Sequence, residues 1–237
     1  MSRHAAASTD WPSYMEGMAR ATRRPALKKF YDSDWPTPDT PLNEVPFVAL
    51  DVETTGLDAR QHAIVSIGLI PFTLSRIRSD QAWHQLVRPP GDLVPESVTF
   101  HHITHSDLYS APRFEEVAET LLAHLAGKVA VVHYHPIERA FIDVAVRRAW
   151  GEGLQFPLLD TMEIEARLHR RKQPSWLARL FGRRPISIRL ADSRQRYGLP
   201  LYRAHHALTD ALATAELLQA QIATHYSGQQ PLGALCL

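Results

Sequence analysis

The stretch Phe47-Val48-Ala49-Leu50-Asp51-Val52-Glu53-Thr54-Thr55-Gly56-Leu57 decides how the rest of the chain is read. Its apolar run passes into alternation, which predicts a buried strand, and Thr54-Thr55-Gly56-Leu57 ends it. A strand has a side-chain period of two, so Asp51 and Glu53 share one face. Carboxylates that close repel and raise each other's pKa unless a proton or a divalent cation lies between them. Taken alone, Asp-x-Glu also fits a solvated strand end.

Upstream, residues 1–45 carry Pro12, Pro25, Pro36, Pro38 and Pro41 among Asp, Ser and Thr, and are expected to form a proline-rich N-terminal extension. Short helices near Ser13–Ala21 and Ala26–Tyr31 can dock there through Trp11, Tyr14, Met15, Met18, Leu27, Phe30 and Tyr31. Downstream, Ala63–Phe72 and Gln81–Val87 read as two more strands, giving a three-strand meander. Phe114, Val117, Leu121, Leu122 and Leu125 have helical spacing, and Lys128–His133 is a Val-rich strand. Pro136 opens a helix whose buried face is Ile137, Phe141, Val144 and Ala145. A short strand at Leu158–Thr161, a helix from Met162 to about His169 and a closing helix over Ala207–Ile222 follow. Strands first, then alternating helix and strand, predict an α/β fold: an antiparallel meander plus parallel strands in one mixed sheet flanked by helices. The domain is expected over 46–225, with 226–237 as a C-terminal tail.

Composition removes several function classes. The single cysteine, Cys236, excludes an intrachain disulfide and a cysteine-based zinc site. The longest uncharged apolar stretch, Ala63–Phe72, falls short of the ~18 residues of a membrane span. Charges interrupt the first thirty residues, so no secretory signal is read there and a cytoplasmic location is expected. A net charge of +1 announces no nucleic-acid partner in bulk. Local charge is different. No acidic residue lies between Glu165 and Asp192, while Arg167, Arg170, Arg171, Lys172, Arg179, Arg183, Arg184 and Arg189 do, with Trp176, Leu177, Leu180 and Phe181 as an apolar stripe. This basic insert, about 167–190, suits phosphates, a membrane surface, a partner protein or a solvated helix packed on the domain.

The residues from Val48 to Leu57 resemble the first motif of the DEDD exonucleases, the group that contains the proofreading (epsilon) subunit of bacterial replicative polymerase and RNase T. His205-His206-Ala207-Leu208-Thr209-Asp210-Ala211 is similar to the third motif of the histidine subclass, DEDDh. The segment Val131-Val132-His133-Tyr134-His135-Pro136-Ile137-Glu138-Arg139-Ala140-Phe141-Ile142 fits the second motif without a gap, with departures. Glu138 stands at the aspartate position, Ile137 at that of Phe and Tyr134 at that of Asn. Asp143, the competing ligand, lies five residues further along the same helix, about 500° around and about 7.5 Å along, so the two cannot be interchanged. Glu138 is the expected ligand, with Asp143 available for pairing with a nearby arginine.

The resemblance implies an RNase H-like fold over about residues 46–222. It implies that Asp51, Glu53, Glu138 and Asp210 hold two divalent ions, Mg²⁺ or Mn²⁺, with His205 as general base. Thr54, Thr55 and Gly56 would approach the terminal nucleotide and Leu57 would wedge against its base. The loop from Glu96 to Leu108 is similar to one with a His-Gly-Ile-Thr core, with His102 in place of the glycine, so that His101 and Ile103 border the substrate. Asp160-Thr161 resembles a supporting feature of the family. The implied activity is 3′-to-5′ hydrolysis of single-stranded DNA or RNA to nucleoside 5′-monophosphates. The alternatives are an RNA-processing exoribonuclease of the RNase T or oligoribonuclease kind, and a nucleic-acid or protein interaction module in which Glu138 and Tyr134 have spoiled the metal position. A polymerase or other protein partner and the oligomeric state stay open.

Overall fold

A computed structural model describes residues 9–90, 103–169 and 186–237. Strand β1 (Phe47–Thr54) forms the middle of a six-stranded sheet, because Phe47 to Leu50 are all buried and need cover on both faces. Strand β2 (Ile64–Thr73) pairs with it antiparallel, setting Asp51 opposite Gly68 and Glu53 opposite Ser66. The outer edge of β2 is shared by β3 (Arg76–Ile77) and β4 (Trp83–Leu86), both antiparallel. The two-residue β3 is an addition to the expected meander and is too short to carry a periodic signal. On the other side of β1, β5 (Val129–Val132) runs parallel with Ala49 beside Val131, and β6 (Leu158–Asp160) runs parallel to β5. This is the mixed sheet of the RNase H-like fold, flanked by helices as expected.

Alternation along β1 sorts the core into two layers. Val48, Leu50 and Val52 meet Leu121 of α4 (Phe114–Leu125) and Phe141 and Ile142 of α5 (His135–Trp150). Helices α1 (Trp11–Ala21) and α2 (Pro25–Tyr31) join this layer through Trp11, Met15, Leu27 and Phe30. Each begins with a proline in its first turn, where the missing N–H costs nothing. Full burial of Leu27 and Phe30 stabilises by roughly 1.5–3 kcal/mol each. Between α2 and β5 lies the five-residue α3 (His105–Tyr109), ahead of α4.

Phe47 and Ala49 face the other layer, built from Ile164 of α6 (Thr161–His169) and Ala211, Ala215 and Leu218 of α8 (Ala207–His225). The short α7 (Leu190–Arg196) packs beside α8. Residues 226–237, expected as a tail, instead add Leu232 and Leu235 to this layer, and Leu237 N–H donates to Leu158 O at 2.9 Å. The apolar run Leu232-Gly233-Ala234-Leu235-Cys236-Leu237 is the reason. No helix among the described residues is long and apolar enough to cross a membrane. Most of the basic insert, 170–185, and the loop residue His101 lie outside the described residues.

Candidate active site

Asp51 and Glu53 emerge from β1 on the face covered by α8. Their neighbour in the register, Gly68, permits the approach: a Cβ there would overlap the backbone of Ala207 and Leu208 at the start of α8. Only glycine lets the helix lie so close to the strand. Asp210, in the first turn of α8, thereby reaches the strand acids, and carboxylate oxygens of Asp51, Glu53 and Asp210 lie within 4.8 Å of one another.

His205 precedes this helix in a left-handed conformation, φ +68°, and is exposed. Its backbone N–H donates to Asp210 Oδ2 at 2.8 Å, so the acid also fixes the turn that presents the imidazole. His206 caps the helix, its ring accepting from Thr209 N–H at 3.4 Å. The chain leading to His205 is riveted by Arg194, which is 2% exposed. Its guanidinium donates to Ala213 O at 2.6 Å, Pro200 O at 2.8 Å and Glu216 Oε2 at 2.7 Å, while Tyr202 donates to Glu216 Oε1 at 3.0 Å and lies over the guanidinium.

Glu138 comes from the opposite layer, in the first turn of α5, and is 3% exposed with Oε2 lacking any hydrogen-bond partner. It lies near enough to Asp51 to raise that group's pKa. Asp143 takes the other role expected of it: it pairs with Arg147 at 3.3 Å and accepts from Leu154 N–H at 2.9 Å, away from the cluster. Asp160, 3% exposed, organises the start of α5 from β6. It accepts from the N–H groups of Tyr134 (3.1 Å), His135 (2.9 Å), Met162 (2.8 Å) and Glu163 (3.3 Å), and from His135 Nδ1 (2.8 Å). Thr161 donates to Val132 O at 3.0 Å and contacts His133 Nδ1 at 2.8 Å, tying β6 to β5.

The four acids share one electrostatic predicament. Burial, then Glu138, Glu53 and Asp210, hold Asp51 well above the usual carboxylate range. Glu53 is pushed up to about 7 by burial and Asp210, and Glu138 to about 8, chiefly by burial. Asp210 is raised by burial in spite of the two backbone N–H groups it accepts from. A partnerless buried oxygen beside three converging carboxylates is relieved by a cation, and an all-oxygen donor set suits Mg²⁺ or Mn²⁺ over zinc.

The turn after β1 is built tightly. Thr54 donates to Gly56 O at 2.7 Å, Thr55 N–H donates to Ala63 O at 2.9 Å, and Thr55 Oγ1 accepts from Ala63 N–H at 3.0 Å. Leu57, at the tip, is 85% exposed. Beside the cluster opens a cavity of about 470 Å³ bordered by Glu53, Ser66, His84, Ile103, His205 and His206. His84 was not foreseen from sequence. It lies opposite Gly68 on β4, so it shares the acidic face, contacts Ser66 Oγ at 2.9 Å and lies against His206 with ring centres 4.7 Å apart and the planes tilted by 31°. Strand alternation was the available signal, but it acts only once the register is known.

Known proteins share this architecture. Residues 48–218 match the exonuclease family. The PolC-type DNA polymerase III of Thermotoga maritima is 26% identical over 179 residues, 76% of this chain but 12% of that protein. The DNA polymerase III subunit epsilon of Treponema pallidum is 28% identical over 181 residues, 76% of this chain and 78% of that one. The crystal structure of cell-death related nuclease 4 superposes with a TM-score of 0.63 at 19% identity, covering 78% of this chain and 65% of that one. The family match runs from the strand that carries Asp51 to the helix that carries Asp210, and it makes this chain a member of the exonuclease family.

Proposed function

We propose that the protein is a metal-dependent 3′-to-5′ exonuclease that releases nucleoside 5′-monophosphates from single-stranded DNA or RNA ends. The observation that carries this reading is the convergence of Asp51, Glu53 and Asp210 with the buried, half-unpartnered Glu138. Four carboxylates from a strand and two helices suit a pair of Mg²⁺ or Mn²⁺ ions. Bound there, such ions would supply Lewis acidity for an in-line displacement at phosphorus.

The residues supply position and proton traffic. His205, exposed beside the cluster and fixed through Asp210, accepts a proton from the attacking water as its oxygen bonds to phosphorus. The bond from phosphorus to the 3′ oxygen breaks, and that oxygen leaves with the shortened strand and is protonated. Thr54, Thr55 and Gly56 offer a rigid turn to the terminal nucleotide, Leu57 offers an apolar wedge for its base, and Ile103 borders the adjoining cavity. His101, expected beside Ile103, lies outside the described residues. Relatives named as polymerase III proteins make a polymerase the class of partner to test.

The deciding experiment is hydrolysis of 5′-labelled single-stranded DNA and RNA with Mg²⁺ or Mn²⁺, beside Asp51→Ala and Glu138→Ala. The expected result is a ladder that shortens from the 3′ end and is lost in both variants. A ladder that survives Glu138→Ala removes Glu138 from the ligand set. No ladder from the wild type would overturn the reading in favour of a binding module. Matched ribo- and deoxyribo-oligonucleotides in the same assay read the sugar preference.

A further inference from the structure

Tyr134 joins β5 to α5, and its backbone adopts a conformation that suits a tyrosine badly. Its φ of +100° and ψ of +64° fall in the left-handed region, which residues other than glycine and asparagine seldom occupy. Asp160 enforces the turn by accepting from the Tyr134 and His135 N–H groups. Nothing in that peptide geometry asks for an aromatic side chain. Nor does the core: the residue is 48% exposed. Among the described residues its ring makes no aromatic contact and its hydroxyl has no hydrogen-bond partner.

Its place in the fold is specific. Because Ala49 pairs with Val131 in parallel register, Asp51 lies level with His133, and Tyr134 follows at the same end of the sheet. Four residues on, Glu138 turns inward to the acidic cluster. A strained turn therefore displays an exposed aromatic side chain at the end of the sheet that carries the acids, four residues before Glu138. Strain that the surrounding structure imposes on an exposed side chain points to a use for that side chain.

We infer that Tyr134 is a stacking platform for a base of the substrate strand, and so a specificity-determining residue for unpaired nucleic acid; this rests on the proposed function. Stacking accepts every base, because every base has a π-face, and it requires a base not already stacked in a duplex. The surface would select for single-stranded ends while tolerating their sequence.

The test is equilibrium binding of the full chain to short single-stranded oligonucleotides with Ca²⁺ replacing Mg²⁺, placing 2-aminopurine at each of the last few 3′ positions in turn. Wild type and Tyr134→Phe are expected to quench the probe at one position. Tyr134→Gly is expected to lose the quench and weaken Kd about tenfold, the loss of one stack. An abasic site at that position should make wild type and Tyr134→Gly bind alike. With Mg²⁺ the same variant should raise KM about tenfold and hold kcat. Its Tm should stay level or rise, since glycine relieves the left-handed strain. Unchanged Kd in Tyr134→Gly, or an equal loss on the abasic strand together with a lower Tm, would overturn the inference and leave the exonuclease standing. A wild type that neither binds nor cuts removes the proposed function and the inference together.

Discussion

The helices α5 and α8 each bring a carboxylate toward Asp51 and Glu53, and they begin alike. Tyr134 before α5 and His205 before α8 are the two residues other than glycine with positive φ among those described, and each helix carries its acid in the first turn. Their supports differ. The start of α5 hangs on Asp160, a buried carboxylate on another strand that takes no part in the proposed chemistry. The start of α8 is held by Asp210 itself, which accepts the His205 N–H and also faces the cluster. One half of the candidate site is thus pre-formed by the core, whereas in the other the residues proposed to react shape their own backbone. At α5 the supporting acid can be removed without touching the proposed ligand, whereas at α8 support and proposed ligand are one residue.

Asp160→Ala tests the first half most severely. It strips a partner from four backbone N–H groups and one imidazole in a partly buried setting. Orphaned buried groups cost about 1–3 kcal/mol each, partly recovered by relaxation, so a loss of about 4 kcal/mol is expected. At roughly 2–4 °C per kcal/mol for a chain of this size, Tm should drop by ~8–16 °C in a thermal melt. Asp210→Asn removes a repelling charge instead, and should abolish hydrolysis without lowering Tm. Equal melting points for the two variants would erase the distinction between the halves.

The next effect is the pH dependence of the metal-free protein. Glu53 and Glu138 have folded pKa values of about 7 and about 8, above the ordinary carboxylate range. Across that interval the native state keeps protons that the unfolded chain has lost, so stability falls as pH rises. Buried His133, depressed to about 4, acts in the opposite sense but only below about 6.5. Between pH 6.5 and 8.5 the loss should therefore be about 2 kcal/mol, or roughly 4–8 °C in Tm. Mg²⁺ should flatten the slope, and Glu138→Gln should remove its alkaline part. A metal-free Tm that climbs over this range would show that the four acids are not crowded as described.

Much of this was legible in the chain. The run from Phe47 to Leu50 reads as a covered strand, and period two put Asp51 and Glu53 together before any tertiary information. The helical offset separated Glu138 from Asp143, and Asp143 pairs with Arg147. The supports were less visible, because they are long-range. Asp160 meets Tyr134 across 26 residues, and Arg194 meets Glu216 across 22. Glu165, fully buried, collects Arg196, Tyr197 and Gln221 from 31 to 56 residues away. Local periodicity reports which side is apolar, and it is silent about which distant polar group will satisfy a buried carboxylate. Gly68 and His84 were hidden for the same reason: each matters only after pairing places it in line with Asp51.

The smallest expected effect gives the sharpest comparison. His205 is exposed, so removing its imidazole should barely disturb packing, while its left-handed backbone favours glycine over alanine by about 1 kcal/mol. His205→Gly should melt roughly 2–4 °C above His205→Ala, and both should be inactive. That difference measures how firmly the Asp210 carboxylate holds the turn. Placed in an Asp210→Ala background, the same pair should melt together, because the peptide is no longer obliged to stay left-handed once its acceptor is gone. If the gap persists there, the turn is shaped by the rigid segment that Arg194 anchors, and α8 has a support of its own comparable to the one Asp160 gives α5.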